Sequence, residues 1–469
     1  MFQAPYPPYD PTDTSGFSYD TVVKRWPIIL TNIIDHVHRL LHDMTLETQQ
    51  IRDSDVSKAE ELSKKITEGQ EIISEISRLK YRMARDHELE NIPQDGDILV
   101  AEYNAELESL KQTSRNTWFQ APWLYAEYRL IRAYFNQKPY WRGFDPFSLQ
   151  KEEMFKNSGA AIYQIATTMH ELESEKVKLQ GDSDKLEVLF KEMIYMCLWL
   201  DLSLLTHLSP SDIEHLQTVG KEAQEARSNF ILKDDQGAVW SYIKTLANQG
   251  KRLDFVLDND FVFADFLVTY TPYFSQVVFH PKLFPWFVSD VTPTDFANTI
   301  SSLLSTTFFP PNSATTPDSV AHLQQMVTRW KNYIDEGIFT LATDISNGQK
   351  MTEFWNGPWP YWNMNELAPD GSGLVIFKVS STAYLNFEFC VEATASELAG
   401  DVRWPVSTPF PTAIGPLAGS FPLLSLRTNK ADVAVGIDEK VAENLDKKGE
   451  KWRISGKYAL VSFLPRRIN

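Results

Sequence analysis

The run LDFVLDNDFVFADFL, residues 253–267, interrupts an apolar stretch with Asp258, Asn259 and Asp260, and a second apolar stretch, PWFVS, ends on Asp290. Burying such oxygen-rich groups without partners costs about 1–3 kcal/mol each on mutational scales, and far more for an unpaired charge. They therefore either reach water at a strand's end or hold something. Hard divalent cations such as Mg or Mn take oxygen ligands, commonly one or two carboxylates completed by water and substrate phosphate. Asp258, Asn259 and Asp290 form such a donor set if two neighbouring parallel strands carry them to one point, leaving room for a phosphoryl oxygen and an attacking water. The alternative is that Asp258 and Asp290 cap helices starting near Asp260 and Thr292, a task Asp performs well. The pattern alone leaves both readings open.

The elements that must position these residues change character along the chain. Spacing of the 3.6-residue type predicts helices over 21–44, 56–85, 97–110, 123–135, 150–178, 185–206, 211–227 and 239–248, the 211–227 helix with Ser211 at its N-cap and Glu214 in a capping box. Past Lys251, short apolar runs at 253–257, 276–279, 285–288, 374–378, 423–426, 433–435 and 458–463 alternate with helical patterns at 261–270, 295–304 and 319–345. The expectation is a loose Pro/Tyr-rich segment 1–18, an all-helical domain 19–250 and an α/β domain 251–469 of Rossmann-like α/β/α layering. Ligands of open α/β sheets bind beyond the carboxyl ends of strands, where Asp258 and Asp290 are expected.

Composition narrows the partners. With 469 residues, 43% of them hydrophobic, the chain can bury two or more cores. A net charge of −17 disfavours nucleic acid and anionic membrane, whose phosphates need a basic face. No apolar run approaches the roughly 18 residues of a membrane span, and the opening MFQAPYPPYDPTDTSG lacks the basic and apolar regions of a signal peptide. Cys197 and Cys390 are the only cysteines, too few for a disulfide scaffold, and with the missing signal they favour the cytoplasm, the nucleus also being open.

The segment FVLDNDFV resembles the Asp-x-Asp-x-Val nucleophile motif of haloacid-dehalogenase-type phosphatases, but that family needs its lysine before the final acidic motif, and Lys378 follows it. A broader likeness runs through VVKRWPIILTNIIDHVHRL, APWLYAEYRLIRAYF, FDPFSLQKEE, RLDFVLDN, FHPKLFPWFVSDVTP, LVIFK and SLRTNKADVAVGI. Together these resemble the metal-dependent damage-control phosphatases of the domain-of-unknown-function 89 group, in the sugar-phosphate phosphatase and acidic-residue methyltransferase-like branch with its Arg-Thr-x-Lys signature, here RTNK. The resemblance implies Asp258 and Asn259 as the Asp-Asn metal pair, Asp290 as third ligand, and Lys378, Arg427 and Lys430 as substrate-binding residues. It implies hydrolysis of a phosphomonoester such as fructose 1-phosphate or fructose 6-phosphate with Mn, Ni, Co or Mg. Asp258 and Asp290 would then be the catalytic residues.

Three segments depart from the family pattern: 199–201 lacks a Gly-Asn, 259–260 lacks a short glycine-bearing loop, and 379–398 replaces a glycine-containing phosphate segment. They motivate a second reading, a non-catalytic homologue that binds phosphosugars. A third, carboxyl methyl transfer to protein glutamate, meets no glycine-rich loop of the usual kind for S-adenosylmethionine. Other features read as structural. His36 and His38 sit two apart on a helix and face different ways; Glu127 is expected to pair with Arg129 or Arg132 in slight preference to facing the site across the domain junction; the aromatic run 354–364 reads as packing in preference to a lid.

Overall fold

The computed structural model describes residues 4–94, 99–199, 228–256, 261–282, 285, 290–310, 316–342, 372–378 and 401–467, with 99, 102, 128–133 and 175 described by backbone alone. The chain divides into two compact units, Pro7–Gln150 and Met1–Tyr6 with Lys151–Asn469. The change of texture near residue 250 falls inside the second of these.

The unit Pro7–Gln150 is built on two long helices, Trp26–Ile51 and Val56–Ala84. They run antiparallel: Lys58 Nζ meets Glu47 at 2.6 Å near the turn, and Lys80 Nζ meets Thr31 Oγ1 at 2.5 Å far from it. Ile33, Val37 and Leu41 on one helix and Ile72, Ile76, Leu79 and Met83 on the other recur at three- and four-residue spacing and are buried, so each helix hides one stripe. Asp55 begins the second helix by accepting from the Lys58 N–H at 3.0 Å. Close approach requires glycine at position 69, where a Cβ would lie 2.5 Å from Leu41 and 2.7 Å from Trp141. His36 is buried with Nδ1 3.1 Å from the Pro146 carbonyl, whereas His38 and His42 are exposed, so the histidines serve no common ion. Glu127 is buried and accepts from the Trp26 indole; the side chains of Arg129 and Arg132 lie outside the described residues.

The other unit holds a seven-stranded sheet: β1 Ile231–Asp234, β2 Lys251–Val256, β3 Phe274–His280, β4 Phe339–Leu341, β5 Ser372–Lys378, β6 Leu423–Thr428 and β7 Ala459–Leu464. Their order is β1-β7-β6-β5-β2-β3-β4. Strands β6, β5, β2, β3 and β4 are mutually parallel, while β7 runs against β6 and β1 runs along β7. Parallel central strands must be covered on both faces, which is why β5 carries the unbroken apolar run LVIF and β2, after Lys251 and Arg252, is apolar except for Asp254. Leu253, Phe255, Val277, Phe279, Leu374, Ile376, Leu424 and Leu426 join one large core with residues of the helices Ser183–Trp199, Gln236–Lys244, Phe261–Thr269 and Pro317–Asp335. This is the expected α/β architecture behind a helical N-terminal region.

Several local expectations are corrected. The 319–345 helix stops at Asp335, past which Gly337 turns with φ 71° and the chain enters β4. The 150–178 helix is broken between Asn157 and Gly159. Residues 433–435 form no strand, and β1 stands where none was expected. Pro285 is outside any strand, while 286–288, the predicted 211–227 helix with Ser211 and Glu214, and the aromatic run 354–364 lie outside the described residues.

One buried charge ties two helices of this unit together. Asp265, fully buried on Phe261–Thr269, accepts from the Arg329 guanidinium at 2.5 and 3.0 Å, from the Trp330 indole at 2.9 Å and from Thr269 at 2.5 Å. Removing the cation leaves a carboxylate in the core. Arg329→Ala is therefore expected to lower unfolding free energy by about 3–5 kcal/mol in a urea titration; a loss within the ±0.5 kcal/mol range of ordinary surface substitutions would show that the pair is dispensable.

Candidate functional site

The sheet's strand order reverses direction between β2 and β5. From β2 the chain steps outward to β3 and β4, then returns to lay β5 on the other flank of β2 and β6 beyond it. In open α/β sheets, ligands bind beyond the carboxyl ends of the strands at such a switch point. The ends are level: Val256 of β2 is opposite His280 of β3 and Phe377 of β5, and Lys378 is opposite Leu426 of β6.

Four of the six predicted site residues lie among the described residues. Asp258 and Asn259 follow the end of β2 and lie outside the described residues. Asp290 is buried at 4% exposure. The Lys282 N–H donates to the Val291 carbonyl at 2.8 Å, so the chain doubles back and returns Asp290 beside the exit of β3. Helix Pro293–Leu303 is capped by Thr292, whose hydroxyl accepts from the Asp295 N–H while the Asp295 carboxylate accepts from the Thr292 N–H at 2.8 Å. The capping role once open to Asp290 is thus filled by its neighbour. Asp295 also takes Lys151 Nζ at 2.7 Å.

Lys378 ends β5 and is 9% exposed. Beyond β6, the Asn429 N–H donates to the Tyr458 carbonyl and its own carbonyl accepts from Gly456, both at 2.7 Å, which pins the backbone that carries Lys430. Arg427, 4% exposed, spends its fork within this loop, donating to the Val433 carbonyl and, at 3.3 Å, to that of Ala431. Residues 433–435 are held here as a loop by that guanidinium. The Lys430 ammonium and the Asn429 amide are buried, at 5% and 0% exposure, and neither has a hydrogen-bond partner among the described residues. A folded protein rarely leaves such groups orphaned, and a cation so placed is ready for an anion. Among the described residues no three His, Cys, Asp or Glu side chains gather as a metal cluster.

Sequence reasoning passed over a buried pair beneath this edge. Asp254, fully buried in β2, contacts His280 Nε2 at 2.9 Å, Arg252 Nε at 3.0 Å and the Ser372 hydroxyl at 2.7 Å. An acid inside an apolar strand was the signal. Burial alone would raise its pKa; the His280 bond and charge, then Arg252 and Ser372, outweigh burial and hold it below the usual carboxylate range. Since folding lowers this pKa, the ionised acid favours the folded state above its unfolded value of about 4 and the contribution fades as pH falls through the lower folded value. Asp254→Asn should therefore be less stable than the parent near neutrality, with the gap closing in acid, as read by denaturation across a pH series. A gap that stays constant with pH would contradict the assignment.

Fold and edge together define an α/β protein that buries an acid, Asp290, after β3 and lysines, Lys378 and Lys430, at the end of β5 and just past β6. The sequence profile described as "Damage-control phosphatase ARMT1-like domain" matches residues 21–445, and the chain belongs to that family. It is similar to proteins named "Damage-control phosphatase ARMT1": from Xenopus laevis at 30% identity, over 95% of this chain and 96% of that one; from Danio rerio at 29%, over 96% and 94%; and from Homo sapiens at 28%, over 96% and 97%. A phosphatase role in damage control is the family-level function. Among the described residues no helix is long and apolar enough to cross a membrane.

Proposed function

We propose that this chain is a metal-dependent phosphatase of sugar phosphomonoesters such as fructose 1-phosphate and fructose 6-phosphate. Asp258, Asn259 and Asp290 hold a divalent cation (Mn, Ni, Co or Mg), and Lys378 and Lys430 hold the phosphoryl group. The observation that carries this reading is the buried ammonium of Lys430, two residues past β6 and without a partner among the described residues, a position that a phosphate oxygen would satisfy.

Two carboxylates and an amide oxygen suit a hard cation, and buried Asp290 is not spent on a helix cap. When bound, the cation supplies Lewis-acid polarisation of the phosphoryl oxygen. The two lysines set positive charge where the equatorial oxygens stay negative in a loose, in-line transition state, so the chain works chiefly by positioning. Arg427 serves this by clamping the loop of Lys430 to β6, a supporting place in preference to direct phosphate contact. The substrate is a small phosphosugar, and the site of action is the cytoplasm or nucleus.

The test is phosphate release from fructose 1-phosphate by the purified chain with each of the four ions and with a chelator. Release that appears with metal and disappears with chelator is expected. Release indifferent to both would overturn the metal assignment; tight phosphosugar binding without turnover would instead favour a non-catalytic homologue.

A further inference from the structure

Asp401 is 1% exposed, and neither of its carboxylate oxygens has a hydrogen-bond partner among the described residues. Its backbone is left-handed, with φ 44°, a conformation disfavoured for any residue with a Cβ. Strain and an unsatisfied buried polar group at one residue are the marks of a functional position. The segment after it is fixed against the loop that leaves β6: the Val406 and Thr408 carbonyls accept from the Ile437 and Gly436 N–H groups at 2.9 and 2.8 Å. The charges that act on Asp401 are Asp432 and Arg427 of that same loop region and Arg403 on its own segment. Asp401 thus lies beside the stretch that presents Lys430.

We propose that the Asp401 carboxyl is the acid that protonates the departing sugar oxygen during phosphomonoester hydrolysis. The assignment rests on the phosphatase reading above and adds a catalytic residue to it. Sugar alkoxides are poor leaving groups, and a positioned acid that retains its proton near neutrality relieves that charge as it forms. Burial first, and then Asp432, raise the Asp401 carboxyl well above the usual carboxylate range, against the pull of Arg427 and Arg403. A neutral acid without a partner also costs far less in the interior than a carboxylate without one. In the reaction, a water oxygen bonds to phosphorus, the bond between phosphorus and the sugar oxygen breaks, and the Asp401 proton passes to that oxygen. The proton lost by the attacking water passes to solvent, and the resulting carboxylate regains one from solvent once the sugar has left. The products are the free sugar and inorganic phosphate.

The experiment compares two leaving groups in the parent chain and in Asp401→Asn, a replacement matching the neutral acid in shape. Fructose 1-phosphate needs its leaving oxygen protonated, whereas p-nitrophenyl phosphate leaves as a stable phenolate. Asp401→Asn should lower kcat on fructose 1-phosphate by about 10²–10⁴-fold and change it far less on p-nitrophenyl phosphate, with an unchanged melting temperature. Equal losses on both substrates, or no loss on the sugar ester, would overturn the role of Asp401 while leaving the phosphatase reading intact. A parent chain that hydrolyses neither ester with metal would overturn both. A second arm is independent of turnover: an infrared band of a protonated carboxyl near neutral pH that vanishes in Asp401→Asn supports the proposal, and a parent chain without that band overturns it.

Discussion

Asp290→Asn is expected to cut metal-stimulated phosphate release by at least about 100-fold, the upper end of what losing even an outer-shell partner of a metal ligand costs. Asparagine keeps the shape of the side chain, so the buried position beside the exit of β3 can still be filled. What disappears is one of two negative charges in the proposed donor set. The same variant should therefore bind Mn more weakly by at least about ten-fold in calorimetric titration, with a melting temperature close to the parent's. If Asp290 served only to hold the turn after β3, the substitution would lower the melting temperature and leave metal affinity untouched. The capping box at Thr292 and Asp295 makes that outcome distinct, because the helix start does not depend on Asp290.

The second large effect has opposite signs on activity and stability. Lys430 holds a buried ammonium with no partner, a state that burdens the ligand-free protein. Lys430→Met keeps the stem and removes the charge. It should raise the unfolding free energy by about 1–3 kcal/mol while lowering kcat/KM for the phosphosugar by about 10²–10³-fold. Trading stability for a charge poised to act is the usual signature of a functional site. Urea titration and steady-state kinetics on one preparation would show both signs. A destabilised variant with normal kinetics would mean that Lys430 is structural.

The central strands were legible because parallel strands covered on both faces leave apolar runs, LVIF in β5 and, interrupted only by Asp254, LDFV with the following Leu257 in the β2 stretch. The same rule hid the edges. β1 carries ILKD, half of it charged, and β4 is only three residues long behind a helix whose apolar spacing ran straight into it. Gly337 was the stop signal that spacing alone overrode. Conversely, the apolar 433–435 run looked like a strand, yet it is a loop held by Arg427. Hydrophobic pattern registers burial; it does not register which backbone groups are already taken.

The site was legible in part for a related reason. Asp290 and Lys378 stand out as charges bordering apolar runs, and both are buried near strand ends. Lys430 came through the RTNK signature, because its buried, partnerless state depends on how the 429–458 backbone is pinned. Asp254 was visible as an acid inside a strand, but its partner His280 belongs to the neighbouring strand and only the sheet register unites them. Asp401 had no signal at all, since neither its positive φ nor its lack of partners is written in residue type.

The most direct test is diffraction from crystals grown with Mn and inorganic phosphate, using the anomalous signal to locate the ion. The account predicts one ion at the carboxyl edge between β2 and β3, about 2.1–2.2 Å from an oxygen each of Asp258, Asn259 and Asp290, with the phosphate reached by Lys378 and Lys430. An ion bound elsewhere, or Asp258 and Asp290 turned into separate pockets, would contradict it.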